Sequence, residues 1–450
     1  MRRMVRLIKG GAKERMPTAR LRRCNQRLST DNVYDGPAMP IRPAIPKLST
    51  RSYSPLPLVF IWTSVGPLSV SAAFRMKPST VQDLARLLEA AAPLAYQESY
   101  DNAGLQCGDP QAEITGVLIT LDCTPAVVAE ALRRGCNVVV AHHPVIFRPL
   151  KRLIGANEIE QTIIAALKND VAIYAAHTNL DNVRGGVNDK LAEKLGLIKT
   201  RVLAPQSGTL ARLITYIPNR PEDQQADLAD RVLAALYAAG AGQVGQYADC
   251  SFRTAGTGTF TPGMGTQPVI GTVNQPETVP EMRLEVLLPL HRRAAVLRAL
   301  RAAHPYEEVA YELIKLENVH TEVGAGLVGE LPAALAPAAF RQLLKQQLLV
   351  PVVRHTAFEQ DIKTVAICGG AGAFLIGAAR AAGVDAYVTG DVKYHEFFGA
   401  ESQLMLCDVG HFESEQFTSE VFRDLLTAGF GRTFAVLISE TPTNPVQYDC

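Results

Sequence analysis

The chain has 450 residues, enough for two to three domains that each bury a sizeable hydrophobic core. Its 47% hydrophobic and 20% charged residues are typical of a globular protein, and a net charge of +1 gives no sign of a nucleic-acid or membrane partner. The eight cysteines are scattered without a CxxC pair, which favours reduced thiols and a cytoplasmic location over a disulfide framework.

Residues 1–75 differ from the rest of the chain. They carry 14 Lys/Arg and 3 Asp/Glu, whereas residues 76–450 have a net charge of −10. They show no sustained helix or strand periodicity, and prolines within 52–74 make that apolar stretch a poor membrane span. We expect Met76 to be the natural start and residues 1–75 to be a non-native or disordered leader, with a targeting segment as the alternative. The mass of the natively expressed N-terminus would distinguish them.

The stretch 116–200 alternates strand and helix patterns. Strands are predicted at 116–121, 137–141 and 171–176, and helices at 124–134, 158–168 and 187–195. This alternation predicts parallel strands joined by right-handed crossovers.

The pattern changes between residues 206 and 325. Strands are predicted at 210–217, 243–252, 283–288 and 308–315, with helices at 224–239 and 291–303 and a Gly/Thr/Pro-rich loop up to about 281. This order predicts an inserted α+β domain of ferredoxin-like fold. The motif HPYEE at 304–308 follows its second helix and is either a ligand surface or a plain junction loop.

The strand–helix alternation returns after residue 326, with strands predicted at 362–368, 385–389 and 404–409. The glycine loop 369–372 would suit anion binding at a helix N-terminus, and tight helix–strand packing explains it equally well. The predicted fold is therefore α/β, with a mostly parallel layered sheet in two halves. The predicted domains are 76–205 and 326–450 for the halves and 206–325 for the insert.

Five potential metal ligands follow the carboxyl ends of predicted strands. They are His142, His143, Asp181, His411 and Glu415. Each has a plain alternative: a histidine that caps a strand, an Asx-type turn at 177–181, or an i,i+4 surface ion pair. Together they lie at the edge where open parallel sheets bind ligands. Three imidazoles and two carboxylates suit two divalent ions such as Zn, Mn or Fe, about 3.5–4 Å apart.

Five motifs in this order resemble the Nif-three-like proteins, a family also known as GTP cyclohydrolase 1 type 2. They are DNAGL at 101–105, AHHP at 141–144, HTNLD at 177–181, GDVKYH at 390–395 and DVGHFESE at 408–415. The resemblance implies that His142, His143, Asp181, His411 and Glu415 bind two metal ions. It also implies that residues 206–325 form a PII-like insert and that the chain assembles as a toroidal hexamer. One departure is Tyr100, where tryptophan is common in the family, and we expect it to affect packing only.

Two functions follow from this resemblance. The first is a metal-dependent hydrolase of a nucleotide-like small molecule, in which His177, Asp391 or His395 orients the substrate or transfers a proton. The second is a non-catalytic, metal-dependent scaffold or sensor whose insert responds to a ligand; a regulatory protein–protein role is a weaker third possibility. The residues themselves identify neither GTP, nor the metal, nor the ligand of the insert.

Overall fold

The computed structural model describes residues 79–218 and 225–449. The predicted leader and the predicted start at Met76 lie outside these ranges. Within them, no helix combines the length and the apolar character that crossing a membrane requires.

Eleven helices and fifteen strands are assigned within the described ranges, besides four short 3₁₀ turns. In chain order they are α1 (Val81–Ala91), β1 (Gly104–Cys107), β2 (Gly116–Thr120), α2 (Pro125–Arg133), β3 (Val138–Ala141), α3 (Glu158–Lys168), β4 (Ala172–Ala175), α4 (Thr178–Asp181), α5 (Val187–Leu195), β5 (Ile198–Gln206), β6 (Leu210–Pro218), α6 (Gln225–Ala238), β7 (Ser251–Phe260), β8 (Glu277–Pro289), α7 (Arg293–Ala303), β9 (Tyr311–Lys315), β10 (His320–Leu335), α8 (Pro337–Gln347), β11 (Arg354–His355), β12 (Ile362–Ala371), α9 (Ile376–Ala381), β13 (Ala386–Gly390), β14 (Met405–Asp408), α10 (His411–Glu415), α11 (Thr418–Phe430) and β15 (Ala435–Ile438).

The first sheet has the strand order β1-β4-β3-β2-β15 and is parallel except for the antiparallel edge pair β1–β4. Every residue of β2, β3 and β4 is buried, because helices cover both faces of the sheet. Such two-sided burial explains why these strands are continuous apolar runs in the sequence. The prediction of parallel strands is confirmed here, and the helices predicted at 158–168 and 187–195 have the predicted bounds.

The second sheet has the order β11-β14-β13-β12-β10-β5, and only β12–β13 and β13–β14 pair in parallel. The prediction of a mostly parallel sheet is therefore wrong for this half of the molecule. The strands β5 and β10 were not predicted from the sequence. The chain leaves this sheet through β5 and returns to it through β10, so the two neighbouring strands run in opposite directions and pair antiparallel.

The third sheet is antiparallel throughout, with the order β7-β8-β6-β9. Helices α6 and α7 pack against one face through a separate core that includes Leu213, Leu236 and Val296. The predicted bounds of one strand are wrong, because β7 covers residues 251–260 instead of 243–252. Most of β7 is an exposed edge strand with glycines, so its sequence lacks the apolar alternation that marks a half-buried strand.

Candidate metal centre

The carboxyl ends of parallel strands from the first two sheets meet at one place. In the first sheet, β3 ends at His142 and His143, and β4 ends just before His177. In the second sheet, β14 ends just before α10, which begins at His411. The Nε2 atoms of His143 and His411 are 3.3 Å apart, although the two residues are 268 positions apart in the chain.

Two groups of three potential ligands share the carboxylate of Glu415. In the first, Glu415 Oε2 lies 3.0 Å from His143 Nε2 and 3.1 Å from His411 Nε2. In the second, His142 Nε2 lies 3.6 Å from Glu415 Oε1 and 3.7 Å from Asp181 Oδ1. The structure thus brings together all five ligands that were predicted from the sequence.

His177 joins the same cluster. It forms a third possible metal-holding group with His142 and His143, and its ring centroid lies 5.3 Å and 5.4 Å from theirs. Its Nδ1 donates to Asp101 Oδ1 at 2.8 Å, and the other oxygen of Asp101 accepts from the backbone and side chain of Thr178. The DNAGL motif therefore positions His177.

Every imidazole of the cluster uses its Nδ1 proton outside the cluster. The acceptors are the Ala176 carbonyl for His142, Asp122 for His143, Asp101 for His177 and Asp391 for His411, at 2.7–2.9 Å. In the neutral tautomer Nε2 then carries a lone pair instead of a proton. Holding one ring nitrogen on a carbonyl or carboxylate is the usual arrangement of histidines that ligate a metal through the other.

The cluster contains buried polar atoms that no other group of the chain satisfies. His142 Nε2 and Asp181 Oδ1 have no hydrogen-bond partner. His142 Nε2 lies 3.6 Å from Glu415 Oε1 and 3.7 Å from Asp181 Oδ1, and both distances are too long for hydrogen bonds. A buried polar atom without a partner is costly, and an external group at this place would satisfy both atoms. A cation meets this need because the neighbouring atoms are all ligand atoms.

The spacing of the ligand atoms fits a metal ion. Two ligands about 2.0–2.1 Å from a tetrahedral zinc ion are about 3.4 Å apart at neighbouring corners. The three atoms of His143, His411 and Glu415 are 3.0–3.3 Å apart. Imidazole nitrogen and carboxylate oxygen suit zinc, manganese and iron alike, so the donor set fits a first-row divalent ion without selecting one.

The protonation equilibria also favour a positive charge between these groups. Burial by itself lowers the pKa of His143, but Asp122 and Glu415 outweigh it and raise that pKa to about 10. The same balance, with Glu415 and Asp391 as partners, raises the pKa of His411 to about 9. Burial tends to raise the pKa of Glu415, but the surrounding imidazoles hold it well below its usual range. Burial and the charge of Glu415 raise the pKa of Asp181 instead.

The glycine loop after β12 shapes the cluster and has little capacity left for an anion. A Cβ at Gly370, where φ is +63°, would overlap the Glu415 carboxylate. The backbone N–H groups of Gly369, Gly370 and Gly372 donate to the side chains of Asn188, Ser414 and Thr389. Tight packing therefore explains these glycines better than phosphate binding does.

The remaining predicted site residues have different outcomes. Asp391 contacts the cluster, because its Oδ2 accepts a hydrogen bond from Nδ1 of the potential ligand His411 at 2.8 Å. His395 is exposed, its ring contacts are with Tyr394 and Phe398, and it lines neither cavity beside the cluster. The structure does not bring it to the site.

Sequence reasoning missed one supporting residue. Asp122 follows the carboxyl end of β2 and holds His143 Nδ1 at 2.7 Å. The rule that selected the other polar residues after strand ends would have selected it too. The alternative of an Asx-type turn at 177–181 is not what the structure has, because Asn179 Oδ1 accepts from the N–H of the preceding residue His177, and Asp181 Oδ1 caps nothing and belongs to the cluster.

Two cavities open onto the cluster. The larger, about 510 Å³, is lined by His143, His411 and Asp391 and by the C-terminal residues Asn444–Val446 and Tyr448. The smaller, about 210 Å³, is lined by His177, Asp181 and Glu415 together with Tyr100 and Phe374. Tyr100 is 61% exposed and its ring centroid lies 6.3 Å from that of Phe147, so the expectation that it affects packing only stays a prediction. Both cavities give a small molecule access to the ligand atoms.

The family model for Duf34/NIF3 (NGG1p interacting factor 3) matches residues 79–445. The chain belongs to the DUF34/NIF3 family. The match covers the whole cluster and the third sheet, and it confirms the resemblance stated from the five motifs.

Relatives in several bacteria match most of this chain over nearly their whole length. A Bacillus subtilis protein named GTP cyclohydrolase 1 type 2 homolog is 39% identical over 372 residues, which are 82% of this chain and 98% of the relative. A Mycobacterium tuberculosis protein of the same name is 35% identical over 376 residues, covering 82% and 96%. Among solved structures, a Bacillus cereus protein related to NIF3 is 36% identical, with a TM-score of 0.72 and coverage of 83% and 100%.

Proposed function

We propose that this NIF3-family chain binds two divalent metal ions and is a metal-dependent hydrolase of a nucleotide-like small molecule. The observation that carries the proposal is the pair of ligand groups that share Glu415. In this proposal His143 and His411 hold one ion, His142 and Asp181 hold the other, and Glu415 bridges them. The names of the relatives support a substrate related to nucleotides.

Two bound divalent ions lower the pKa of water and stabilise negative charge that develops on oxygen. The chain contributes the groups around them. His177, held by Asp101, is free at Nε2 to accept or deliver a proton at the side of the smaller cavity. Asp122 and Asp391 fix the ring orientations of His143 and His411. Tyr100 and Phe374 present exposed aromatic surface on which a heterocycle can stack.

Metal content tests the first half of the proposal. Protein purified without added metal or chelator should contain about two ions per chain by elemental analysis. The double variant His142→Ala/His411→Ala should lose them, whereas His355→Ala, which removes an exposed histidine outside the cluster, should not. A content below one ion per chain in the wild type would contradict the dinuclear site.

Turnover tests the second half. A screen of nucleotides and related phosphate esters and heterocycles with the metal-loaded chain should find a hydrolysed substrate, and the double variant should abolish its turnover. Turnover that survives in that variant would remove the metal cluster from the mechanism.

We further propose the domain bounds 76–205, 206–325 and 326–450, with a PII-like insert. The separate antiparallel sheet β7-β8-β6-β9 and its own core support an independent unit between β5 and β10. This insert favours the second candidate function, a metal-dependent sensor, since hydrolysis does not require it. Deletion of residues 206–325 distinguishes the two: retained turnover supports the hydrolase, whereas ligand binding lost with the insert supports the sensor.

We also propose the toroidal hexamer that the resemblance implies. Light scattering of the intact chain measures its mass, and a monomer at micromolar concentration would contradict this proposal.

A further inference from the structure

The third sheet contains a cavity that the metal cluster does not use. It has a volume of about 310 Å³, within the range of small-molecule sites. Its walls are the end of β7, the loop that follows β7 and the turn before β9. The apolar part consists of Phe260, Pro262, Pro268, Val269 and Ile270. Val269 is 56% exposed, so this surface is open to a ligand.

The HPYEE motif forms the opposite wall, and one buried histidine holds it in place. His304 is 7% exposed, and its Nε2 donates to the Tyr216 carbonyl at 2.9 Å. Its Nδ1 accepts from the Tyr306 N–H at 3.1 Å. Because both ring nitrogens are engaged within the protein, the turn is preorganised. Tyr306, Glu307 and Glu308 line the cavity as a result.

Three carboxylates face an otherwise apolar cavity. Glu281 accepts from the Tyr306 hydroxyl at 3.2 Å, and its carboxylate occupies the space that a Cβ at Gly258 would take. Glu307 accepts from the Gln267 N–H at 2.9 Å, and Glu308 is the third. The described residues that line the cavity include no Lys, Arg or His. A cleft lined by one sign of charge with apolar walls concentrates ions of the opposite sign.

We propose that this cavity binds a small organic cation, an alkylammonium or quaternary ammonium compound. The apolar body of such a ligand would contact Phe260 and Val269, and its charge would lie between the carboxylates and the ring of Tyr306. A bare metal ion does not match walls that are mostly carbon, and an anion does not match the charge. The site is independent of the metal cluster and would give the insert a ligand of its own.

The test uses the full chain in the presence of a chelator, so that its outcome does not depend on the metal cluster. Saturation-transfer NMR is recorded with choline and with 3,3-dimethylbutan-1-ol, which has the same shape without the charge. Choline should bind saturably and about two- to fivefold more tightly than the neutral alcohol, since a cation–π contact at an exposed site contributes about 0.5–1 kcal/mol. Equal binding of the two probes, or no saturable binding of choline, would overturn the proposal.

Variants locate the site. Glu281→Gln and Glu308→Gln should each weaken choline binding about two- to fivefold, whereas Glu317→Gln, an exposed residue outside the cavity, should not. Tyr306→Phe keeps the ring and should retain binding, while Tyr306→Ala should lose it; circular dichroism confirms that both are folded. Choline binding that Glu281→Gln, Glu308→Gln and Tyr306→Ala all leave intact would show that this cavity is not the site.

Discussion

Two buried glutamates of this chain, Glu130 and Glu415, have opposite surroundings. Their side chains are 4% and 3% exposed. Glu130, on α2, accepts hydrogen bonds from Arg134, from Ser439 and Thr441 and from the backbone of residues 440 and 441. Glu415 instead faces imidazoles whose Nδ1 protons are committed elsewhere. A carboxylate satisfied by several donors of its own chain stabilises the fold, whereas one surrounded by imidazole Nε2 atoms favours a positive charge at that place, carried by protonated histidines or by a metal ion.

The largest expected effect is on metal binding by Glu415→Gln. The amide keeps the size of the side chain but removes the charge and replaces one of its two ligand oxygens, each of which faces a different ligand group, with an NH₂ group. We expect a loss of at least about a thousandfold in affinity, about 4 kcal/mol, or roughly a third of the binding free energy of a structural zinc site. Titration with a competing chelator measures it. Glu130→Gln is the matched control, and equal loss in both variants would end the distinction between the two glutamates.

The second effect is on folding stability, and it concerns Glu130. Glu130→Ala leaves several buried donors and Arg134 without their partner, so we expect a loss of about 3 kcal/mol in the free energy of unfolding. Urea unfolding of the chelator-treated protein measures it. Glu193→Ala, at an exposed glutamate paired with Lys190, should cost less than about 1 kcal/mol. The metal content of Glu130→Ala should equal that of the wild type. Loss of metal in this variant would contradict the separation of a folding role for Glu130 from a metal-binding role for Glu415.

A smaller effect on metal affinity is expected when a residue that orients a potential ligand is changed. Asp122→Asn weakens the hold on His143 Nδ1 without removing a ligand atom. We expect metal affinity to fall by about 10- to 100-fold, as is typical when such supporting residues change. The same chelator competition detects it. Asp109→Asn, an exposed aspartate of the same half, is the control, and an unchanged affinity in Asp122→Asn would mean that the His143 ring is held by packing alone.

The pH dependence of the free energy of unfolding tests the role of Glu130 in folding stability. Burial tends to raise the pKa of Glu130, but its hydrogen bonds outweigh this and lower the pKa from 4.5 to about 2. A lowered folded-state pKa stabilises the fold above pH 4.5, and this contribution is lost as pH falls towards 2. The stability difference between wild type and Glu130→Gln should therefore shrink by about 2 kcal/mol between pH 7 and pH 3. A difference that is constant over this range would contradict the shifted pKa.

The structure brings the five predicted ligand residues together, and their positions are ones that local sequence reveals. The apolar runs of β3 and β14 end at His142 and just before His411, and the i,i+4 spacing of His411 and Glu415 places both on one helical face. His395 also follows a strand end, yet it is exposed because the chain turns outward after Asp391. Position after a strand is thus necessary for this site and not sufficient.

The fold was predicted less evenly, for reasons of exposure and direction. Strands buried on both faces are visible as apolar runs, so β2, β3 and β4 of the first sheet were predicted, whereas β1 and β15 were not. The edge strand β7 has few buried side chains, and its pairing with β8 across a long loop is not visible in the sequence. The antiparallel pairing of β5 with β10 depends on residues more than a hundred positions apart.

By itself, the amino-acid sequence determined which residues can ligate a metal and at which strand ends they lie, since periodicity and strand termini are local properties. Only the tertiary structure decided that residues 143 and 411 meet within 3.3 Å, that Asp122 supports the first of them, and that His142 Nε2 and Asp181 Oδ1 have no other partner. These are relations between segments far apart in the chain, which only the tertiary packing brings together.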